Sequence, residues 1–353
     1  MNRVDVVVPC YNYGRFLHQS VGSVLSQEGV DVRVLVIDDC SPDDTPQVGK
    51  HLAAIDPRVE YRRHEVNRGH IASYNEGLLE WASAEYSLLL SADDMLAPGA
   101  LARATDLMER HPDIGMTYGM TQVIIGEQVP TFSTASASTE YRIVAGSRFL
   151  QECFENAYCL VATPSAVVRT AVQQEVGGYC AHLPHSGDVE MWMRFGFHGS
   201  IGVLRAVQAY YRWHGSNMSS TYYDQCIGDQ LEFWQACKYA LERWGARHPQ
   251  SRLWWNSISQ RLGEEGFWSA SRALDRGETR QCRAWLEFAE KVHPDIRFSG
   301  MWWRLWAKRF LGHTLWRKLQ PVLDKVRGIR EASSTPLETV LFRSGDEVGW
   351  WPE

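Results

Sequence analysis

Two adjacent carboxylates, Asp93 and Asp94, end an apolar run that begins at Tyr86. Neighbouring negative charges repel each other, and a hard divalent cation with oxygen ligands relieves that repulsion. A strand-end turn is the alternative, because aspartate favours helix N-caps and a predicted helix over 99–110 follows directly. The residue types therefore indicate either a metal or ligand site or a capped turn.

Further polar residues stand where other predicted strands end or helices begin. They are Asp38, Asp39, Asn67, Gly69, Asp188 and His214. Asp38 and Asp39 lie in an acidic turn after the second strand. Helix capping by Ser41 and Asp43 is a simpler explanation for the acidic residues of this turn. Asp188 lies in the first turn of its predicted helix, where a negative charge also suits the helix dipole.

The elements that would position these residues alternate between strands and helices. Short apolar runs without polar alternation predict strands buried on both faces, and helical spacing predicts the helices between them. The predicted strands are Val4–Val8, Val32–Ile37, Arg58–His64, Tyr86–Leu90, Ile114–Ile125, Ser165–Arg169 and Ile201–Trp213, and the predicted helices include Phe16–Gln27, Ile71–Trp81 and 99–110. Three β-α alternations at the start indicate an α/β fold, with a parallel sheet covered by helices on both faces. Ligands of such sheets bind at the carboxyl ends of the strands.

Composition and charge divide the chain of 353 residues into two parts. Residues 1–212 carry 16 Lys/Arg and 25 Asp/Glu, whereas residues 213–353 carry 20 Lys/Arg and 17 Asp/Glu. Of the 15 tryptophans, 13 lie from Trp213 onward. The acidic first part argues against nucleic acid as a partner. Eight cysteines form no CxxC pair, so reduced thiols are expected. Neither a secretory leader nor a membrane-spanning apolar run is expected.

The second part is predicted to be helical from about residue 222. Small residues and aromatic spacing over 258–294 are typical of a tetratricopeptide-like helix pair. Residues 297–330 carry nine Lys/Arg, one acid and an aromatic stripe, which suits either an anionic membrane surface or packing within the protein. A loosely ordered tail is expected over 331–353, and the Ser/Thr/Ala-rich stretch 131–139 is either a lid or a surface loop.

Five ordered segments in the first 220 residues together resemble the inverting family 2 glycosyltransferases of the GT-A fold. They are Val-Val-Val-Pro-Cys-Tyr-Asn at 6–12, Val-Ile-Asp-Asp-Cys-Ser-Pro-Asp-Asp-Thr at 36–45, Asn67-Arg68-Gly69 with Asn75, Ser-Ala-Asp-Asp at 91–94 and Gly-Asp-Val-Glu-Met-Trp-Met-Arg at 187–194. The resemblance implies a catalytic domain over 1–220 with a Rossmann-like mixed sheet, followed by a helical region over 221–330. It also implies transfer of a sugar from a nucleoside-diphosphate sugar, with a UDP-sugar favoured, to a hydroxyl of a glycan or lipid-linked glycan.

The resemblance further implies a role for each candidate residue. Asp94 would hold a divalent metal, Mn²⁺ or Mg²⁺. His214 would be a further metal ligand, as the corresponding histidine is in some relatives, or else only a polar residue in the turn after the last strand. Asp188 would be the base that takes the proton of the acceptor hydroxyl, with Glu190 in reserve. The donor-binding residues would be Pro9, Tyr11, Asp39, Asn67, Gly69 and Asp93, with Asp39 at the nucleoside and Asp93 at the ribose or the metal.

Two positions depart from the family pattern. Ser91 stands where relatives often have aspartate, which leaves the metal to Asp94 and His214. Gly187 stands where many relatives have a glutamate beside the base. The resemblance suits a cytoplasmic enzyme of bacterial surface polysaccharide or glycoconjugate synthesis, either free or at the inner face of the membrane. Homo-oligomer formation is left open.

Two other functions share parts of this pattern. A catalytically inactive sugar-nucleotide-binding or scaffold protein would keep the pocket without turnover, although retention of both Asp94 and Asp188 argues against it. A sugar-phosphate nucleotidyltransferase would have a Gly-rich phosphate loop after the first strand. The segment Pro9-Cys10-Tyr11-Asn12 is not such a loop.

Overall fold

The computed structural model describes residues 1–130, 138, 140–217, 226–246, 248–310, 347–349 and 351. The chain forms two compact units. One comprises the described residues of Met1–Cys153, Tyr158–Met218 and Phe342–Glu353, and the other those of Phe154–Ala157 and Ser219–Leu341. The first unit contains every candidate site residue.

The first half of its sheet is built from the apolar runs at the start of the chain. Strands β1 (Asn2–Cys10), β2 (Val30–Asp38), β3 (Val59–Arg63) and β4 (Tyr86–Leu89) pair in parallel in the order β3-β2-β1-β4. The connecting helices are α1 (Gly14–Leu25), α2 (Thr45–Ile55) and α3 (His70–Asn75), the last of which continues as a wider helical turn over Glu76–Trp81. All of these elements match predicted ones, and α2 is the helix expected after the acidic turn that follows the second strand.

Helices cover both faces of this half of the sheet, as predicted. Val6 and Val8 lie in one buried cluster with Leu17 of α1. Val7 points the opposite way, because successive side chains alternate across a strand. It packs against Gly77, just beyond α3, where an added Cβ would come within 2.2 Å of a Val7 methyl.

The second half of the sheet mixes parallel and antiparallel strands. Its elements are β5 (Met95–Leu96), α4 (Ala100–Arg110), β6 (Ile114–Ile125), β7 (Tyr141–Val144), α5 (Gly146–Asn156), β8 (Val167–Arg169), α6 (Thr170–Val176), α7 (Gly187–His198) and β9 (Ser200–Trp213). The order continues as β4-β8-β6-β9-β5; β8 is antiparallel to β4 and β6, whereas β6 and β9 are parallel. The predicted mixed sheet is confirmed. The two-residue β5 pairs antiparallel with β9 and is too short for a hydrophobic pattern to reveal.

The second unit is helical, as predicted. Its elements are α8 (Cys226–Arg243), α9 (Ser251–Asp275), α10 (Thr279–Val292), a 3₁₀ turn (Pro294–Phe298) and α11 (300–310). Helices α9 and α10 are antiparallel, because Gly266 lies against Phe288 whereas Gly263 lies against His293. The tetratricopeptide-like assignment stays a prediction. Within the described ranges, no helix is both long enough and apolar enough to cross a bilayer.

A short piece of the predicted tail belongs to the sheet. Glu347–Val348 form β10, which pairs antiparallel with β6 at Thr121 and Gln122. Trp351 is buried, and its ring stacks on that of Phe149 with 6.1 Å between centroids. The rest of 331–353, the stretch 131–139 apart from residue 138, and residues 311–330 lie outside the described residues.

Candidate active site

Asp93 and Asp94 lie in a tight turn between β4 and β5. The turn is closed by the Asp94 N–H, which donates to the Ser91 carbonyl oxygen at 3.0 Å. Asp94 Oδ1 accepts a hydrogen bond of 2.9 Å from the backbone N–H of Arg212, near the end of β9. The aspartates are 6% and 2% exposed, so both carboxylates are largely removed from bulk water.

The side chain of Arg212 holds this turn in place, and the sequence analysis gave it no role. Its buried guanidinium donates to the Asp93 carbonyl oxygen at 2.8 Å, to Gln19 Oε1 at 2.7 Å and to the carbonyl oxygens of Gly126 and Gln128. A buried cation is tolerated where its donors are satisfied in this way. The available signal was a charged residue in the apolar end of β9, next to Tyr210, Tyr211 and Trp213.

His214 approaches the same turn from just beyond β9. Its Nδ1 accepts a hydrogen bond of 3.1 Å from the Ser216 N–H, which assigns the ring proton to Nε2. Nε2 lies 3.2 Å from Asp93 Oδ2 and donates to it. The ring packs against Tyr13 and Phe16, with centroid separations of 5.3 and 5.2 Å. His214 therefore orients Asp93 in this arrangement, and Nε2 has to lose its proton before it can bind a metal.

The two carboxylates fit a divalent cation on electrostatic grounds. Burial, together with the charge of Asp93, raises the pKa of Asp94 well above its usual value although the charge of Arg212 lowers it, so the negative charge at the turn is only partly balanced by the protein. Carboxylate oxygens are ligands that Mg²⁺ and Mn²⁺ prefer. No group of three metal-binding side chains occurs in the described part of the chain, so substrate and water oxygens would complete the shell. The metal roles of Asp94 and His214 stay predictions.

Asp39 organises the loop that precedes α3. Its Oδ1 accepts a hydrogen bond of 2.7 Å from the Arg68 N–H and lies 2.7 Å from His64 Nδ1. Oδ2 accepts from the Gly69 N–H at 2.8 Å, and Asn67 Oδ1 accepts from the same N–H at 3.0 Å. Gly69 has a φ of +84°, which favours glycine. A carboxylate accepts about four hydrogen bonds, and the residues that the structure describes occupy three of these positions on Asp39, which leaves one for a ligand.

Pro9 and Tyr11 lie at the same edge of the sheet as Asp39. Pro9 pairs with Ile37 near the ends of β1 and β2, and Tyr11 is 49% exposed in the loop after β1. Parallel strands end at a common edge, and Asp93 follows β4, the other neighbour of β1. The sheet therefore brings the predicted donor-binding residues to one edge, and their roles stay predictions.

Asp188 lies in the first turn of α7. Its Oδ2 accepts a hydrogen bond of 3.1 Å from the Thr163 hydroxyl, and its Oδ1 accepts one of 2.7 Å from the Val189 N–H. The sequence did not predict the contact with Thr163. Burial raises the pKa of the Asp188 carboxyl above its usual value. The charges of Asp188, Asp93 and Asp94 all act on the Tyr74 hydroxyl, so the three carboxylates lie within electrostatic range of that hydroxyl, and the space between them is the candidate cleft.

Glu190, the suggested reserve base, is already paired. Arg194, one helical turn further along α7, forms a bidentate ion pair with it, and both side chains are buried. Arg194 also donates to the carbonyl oxygens of Val176 and Gly178, so the pair fixes the loop before α7. The i,i+4 spacing of Glu190 and Arg194 was the sequence signal for this ion pair.

A mixed sheet with helices on both faces and acidic side chains at its carboxyl edge defines this unit as a GT-A-type domain. Residues 5–174 match the family model described as glycosyl transferase family 2. That segment is just under half of the chain, and over it the predicted resemblance to the family is confirmed.

Curated relatives agree with this assignment. An uncharacterized glycosyltransferase of Nostoc sp. is 26% identical over 224 residues, which are 61% of this chain and 66% of the relative. The GalNAc(5)-diNAcBac-PP-undecaprenol beta-1,3-glucosyltransferase of Campylobacter jejuni is 34% identical over 103 residues, which are 29% of this chain and 33% of the relative. The chain thus spans just under two thirds of the first relative and a third of the second.

Solved structures share the fold. S. aureus TarS 1-349 in complex with UDP-GlcNAc aligns with a TM-score of 0.51 and 16% identity, over 84% of this chain and 92% of that chain. The mannosyltransferase PcManGT from Pyrobaculum calidifontis, in complex with GDP-Man and Mn²⁺, aligns with a TM-score of 0.51 and 15% identity, over 93% of this chain and 88% of that chain. The predicted fold class is confirmed.

Proposed function

We propose that the protein is a metal-dependent inverting glycosyltransferase that moves a sugar from a nucleoside-diphosphate sugar, with a UDP-sugar favoured, to a hydroxyl of a glycan or lipid-linked glycan. The observation that carries the proposal is that the charges of Asp188 and of the Asp93–Asp94 pair act on one hydroxyl, that of Tyr74, in a chain that resembles the family 2 glycosyltransferases. The related folds in complex with UDP-GlcNAc and GDP-Man support this class of donor.

In this proposal Asp188 acts on the acceptor. Its carboxylate takes the proton of the acceptor hydroxyl while the hydroxyl oxygen attacks the anomeric carbon and the bond from that carbon to the diphosphate breaks on the opposite face. Attack from the opposite face inverts the configuration of that carbon. Thr163 and the Val189 N–H hold the carboxylate in a fixed orientation. Burial raises the pKa of Asp188, which makes it a stronger base than an exposed aspartate.

The other acidic residues act on the donor. Asp93 and Asp94 would hold the divalent cation, which when bound neutralises the charge that grows on the leaving diphosphate. Arg212 and His214 keep these two carboxylates in place. The remaining acceptor position on Asp39 suits an N–H of the nucleobase, such as the ring N–H of uracil.

Thermal shift with a nucleotide panel tests the proposal. A ligand that binds only the folded protein at about 100 times its Kd adds about 2.7 kcal/mol of stability. We therefore expect UDP, UDP-glucose or UDP-GlcNAc with Mn²⁺ to raise the Tm by several degrees, and the shift to fall when EDTA replaces Mn²⁺. GDP-mannose is the comparison donor. No shift with any of these nucleotides would contradict the proposal, and binding without hydrolysis or transfer of any donor sugar would favour the inactive-protein alternative.

The proposed setting is the cytoplasmic face of a bacterial membrane, in surface polysaccharide or glycoconjugate synthesis. The undecaprenol-linked acceptor in the name of the Campylobacter relative supports this setting. Helix α11 offers a matching surface, because Trp303, Trp306 and Phe310 are 66%, 48% and 92% exposed, at helical spacing on one face. Exposed aromatic residues next to Arg304 and Arg309 are typical of a segment at an anionic lipid interface.

Replacing Trp303, Trp306 and Phe310 together by serine should abolish flotation with anionic liposomes. Each large apolar side chain that enters the interface contributes on the order of 1–2 kcal/mol to binding. Flotation with liposomes that contain about 30% phosphatidylglycerol measures the effect, with phosphatidylcholine liposomes as a lipid control. The serine substitution of Leu253, which is 67% exposed on α9, is the protein control. Equal flotation of the triple variant and the original protein would contradict the membrane role.

A further inference from the structure

Helix α3 joins the two sides of the candidate active site. Its first turn follows the loop that Asp39 binds through Gly69. His70 Nε2 lies 2.8 Å from the Pro184 carbonyl oxygen, in the segment that leads to Asp188. At the other end of the helix, the Asn75 side chain binds both the N–H and the carbonyl oxygen of Tyr179, at 2.6 and 3.0 Å. Any side chain that α3 directs into the cleft is therefore held firmly with respect to both sides.

Tyr74 is such a side chain. Its ring is half-buried and lies edge-on to the rings of His70 and Tyr179, with centroid separations of 5.3 Å to each. These contacts fix the ring, but the hydroxyl makes no hydrogen bond to any residue that the structure describes. The packed ring fixes the position of the hydroxyl, and the hydroxyl itself is available to a ligand.

The charges that act on the hydroxyl indicate which candidate site residues lie near it. Burial and then the negative charges of Asp188, Asp93 and Asp94 raise the pKa of Tyr74, so the phenol stays protonated and can donate. The three carboxylates accept hydrogen bonds when ionised, so Tyr74 supplies a hydrogen-bond donor beside three acceptors. In the proposed reaction the transferred sugar must lie between the diphosphate at Asp93–Asp94 and the acceptor hydroxyl at Asp188.

We propose that the Tyr74 hydroxyl donates a hydrogen bond to the transferred sugar of the donor and thereby helps to select that sugar. The proposal rests on the proposed function, because it takes the position of the sugar from the roles of Asp188 and the Asp93–Asp94 pair. A tyrosine that only packs α3 against the segment at Tyr179 is the opposing explanation. The two differ in a measurable way, because packing uses the ring whereas sugar binding uses the hydroxyl oxygen.

Tyr74→Phe separates the two explanations, since it keeps the ring and removes one oxygen. The measurement is the Kd of UDP and of UDP-glucose, UDP-GlcNAc and GDP-mannose in Mn²⁺, by calorimetry. We expect the variant to bind UDP as the original protein does and to bind the preferred sugar nucleotide about 3- to 10-fold more weakly, the usual effect of one neutral hydrogen bond. The expected kinetic change is a higher KM for the donor, without a shift in the pH profile set by Asp188.

The matched control is Tyr86→Phe. Tyr86 begins β4, whereas the Asp93–Asp94 turn follows the other end of that strand, and its hydroxyl donates to Glu109. This control should lower the Tm and leave the ratio of the two Kd values unchanged. Equal Kd ratios in Tyr74→Phe and the original protein would overturn the inference while the proposed function stands. An original protein that binds no nucleotide of the panel would overturn both.

Discussion

Asp188→Asn should lower the rate of sugar transfer by about 10²- to 10⁴-fold, the usual contribution of a general base. The Kd for UDP with Mn²⁺ should not change, because Asp188 accepts its hydrogen bonds from Thr163 and the Val189 N–H and contacts neither Asp93 nor Asp94. Stability should be kept or increased, since the substitution removes a charge that burial disfavours. Single-turnover transfer and calorimetry measure the two quantities, and turnover near that of the original protein would remove Asp188 as the base.

The control for this variant is Glu190→Gln, two residues along the same helix. Glu190 is buried against Arg194, so the loss of its charge should lower the free energy of unfolding by about 3–5 kcal/mol. Turnover per folded molecule should stay close to that of the original protein. A pH profile adds a second check: the transfer rate should fall as the pH drops through the pKa of Asp188, which burial raises above the usual aspartate value. That acid limb should be absent from the residual activity of Asp188→Asn.

Arg212→Met should cost about 3–5 kcal/mol of stability and weaken the Mn²⁺-dependent binding of UDP. Methionine has a similar length, but it leaves the carbonyl oxygens of Asp93, Gly126 and Gln128 without the donors that they have now. It also removes the cation nearest to two buried carboxylates. The free energy of unfolding from urea titration, and the Kd of UDP with and without Mn²⁺, measure the two effects.

Arg205→Met is the matched control on the same strand. Arg205 pairs with Glu140 where both side chains are about half exposed, so its loss should cost less than about 1 kcal/mol. UDP binding should be unchanged in the control. Similar losses of stability in the two variants, or an Arg212→Met protein that binds UDP with Mn²⁺ as before, would show that Arg212 does not support the metal turn.

Much of the first half of the sheet could be predicted from the sequence. The runs at Val4, Val32 and Tyr86 are continuous and apolar, which restricts them to strands buried on both faces. Parallel pairing of such strands brings the residues that follow them to one edge. For this reason Asp39 and the Asp93–Asp94 pair could be assigned to a common edge without coordinates.

The remaining features depend on contacts between residues far apart in the chain. Arg212 and Asp93 are 119 positions apart, and nothing near Arg212 in the sequence identifies its partners. Thr163 reaches Asp188 across 25 positions. Tyr74 was counted only as part of a helical pattern, because periodicity identifies the buried face of a helix and gives no information about an unpaired hydroxyl at its edge. Glu190 is the exception, since its spacing from Arg194 was visible.

The position of β10 makes the helical unit an insertion in topological terms. Among the described residues, Asn217 belongs to the first unit, the next ones up to 310 belong to the helical unit, and Glu347 belongs to the first unit again, where β10 pairs with β6 and Trp351 stacks on Phe149. A protein shortened at about residue 330 would therefore lose β10 and Trp351 from the first unit while it keeps helices α1 to α11. An isolated catalytic domain should keep Glu347–Trp351 joined through a linker, and substitutions on α11 are safer than truncation for testing membrane binding.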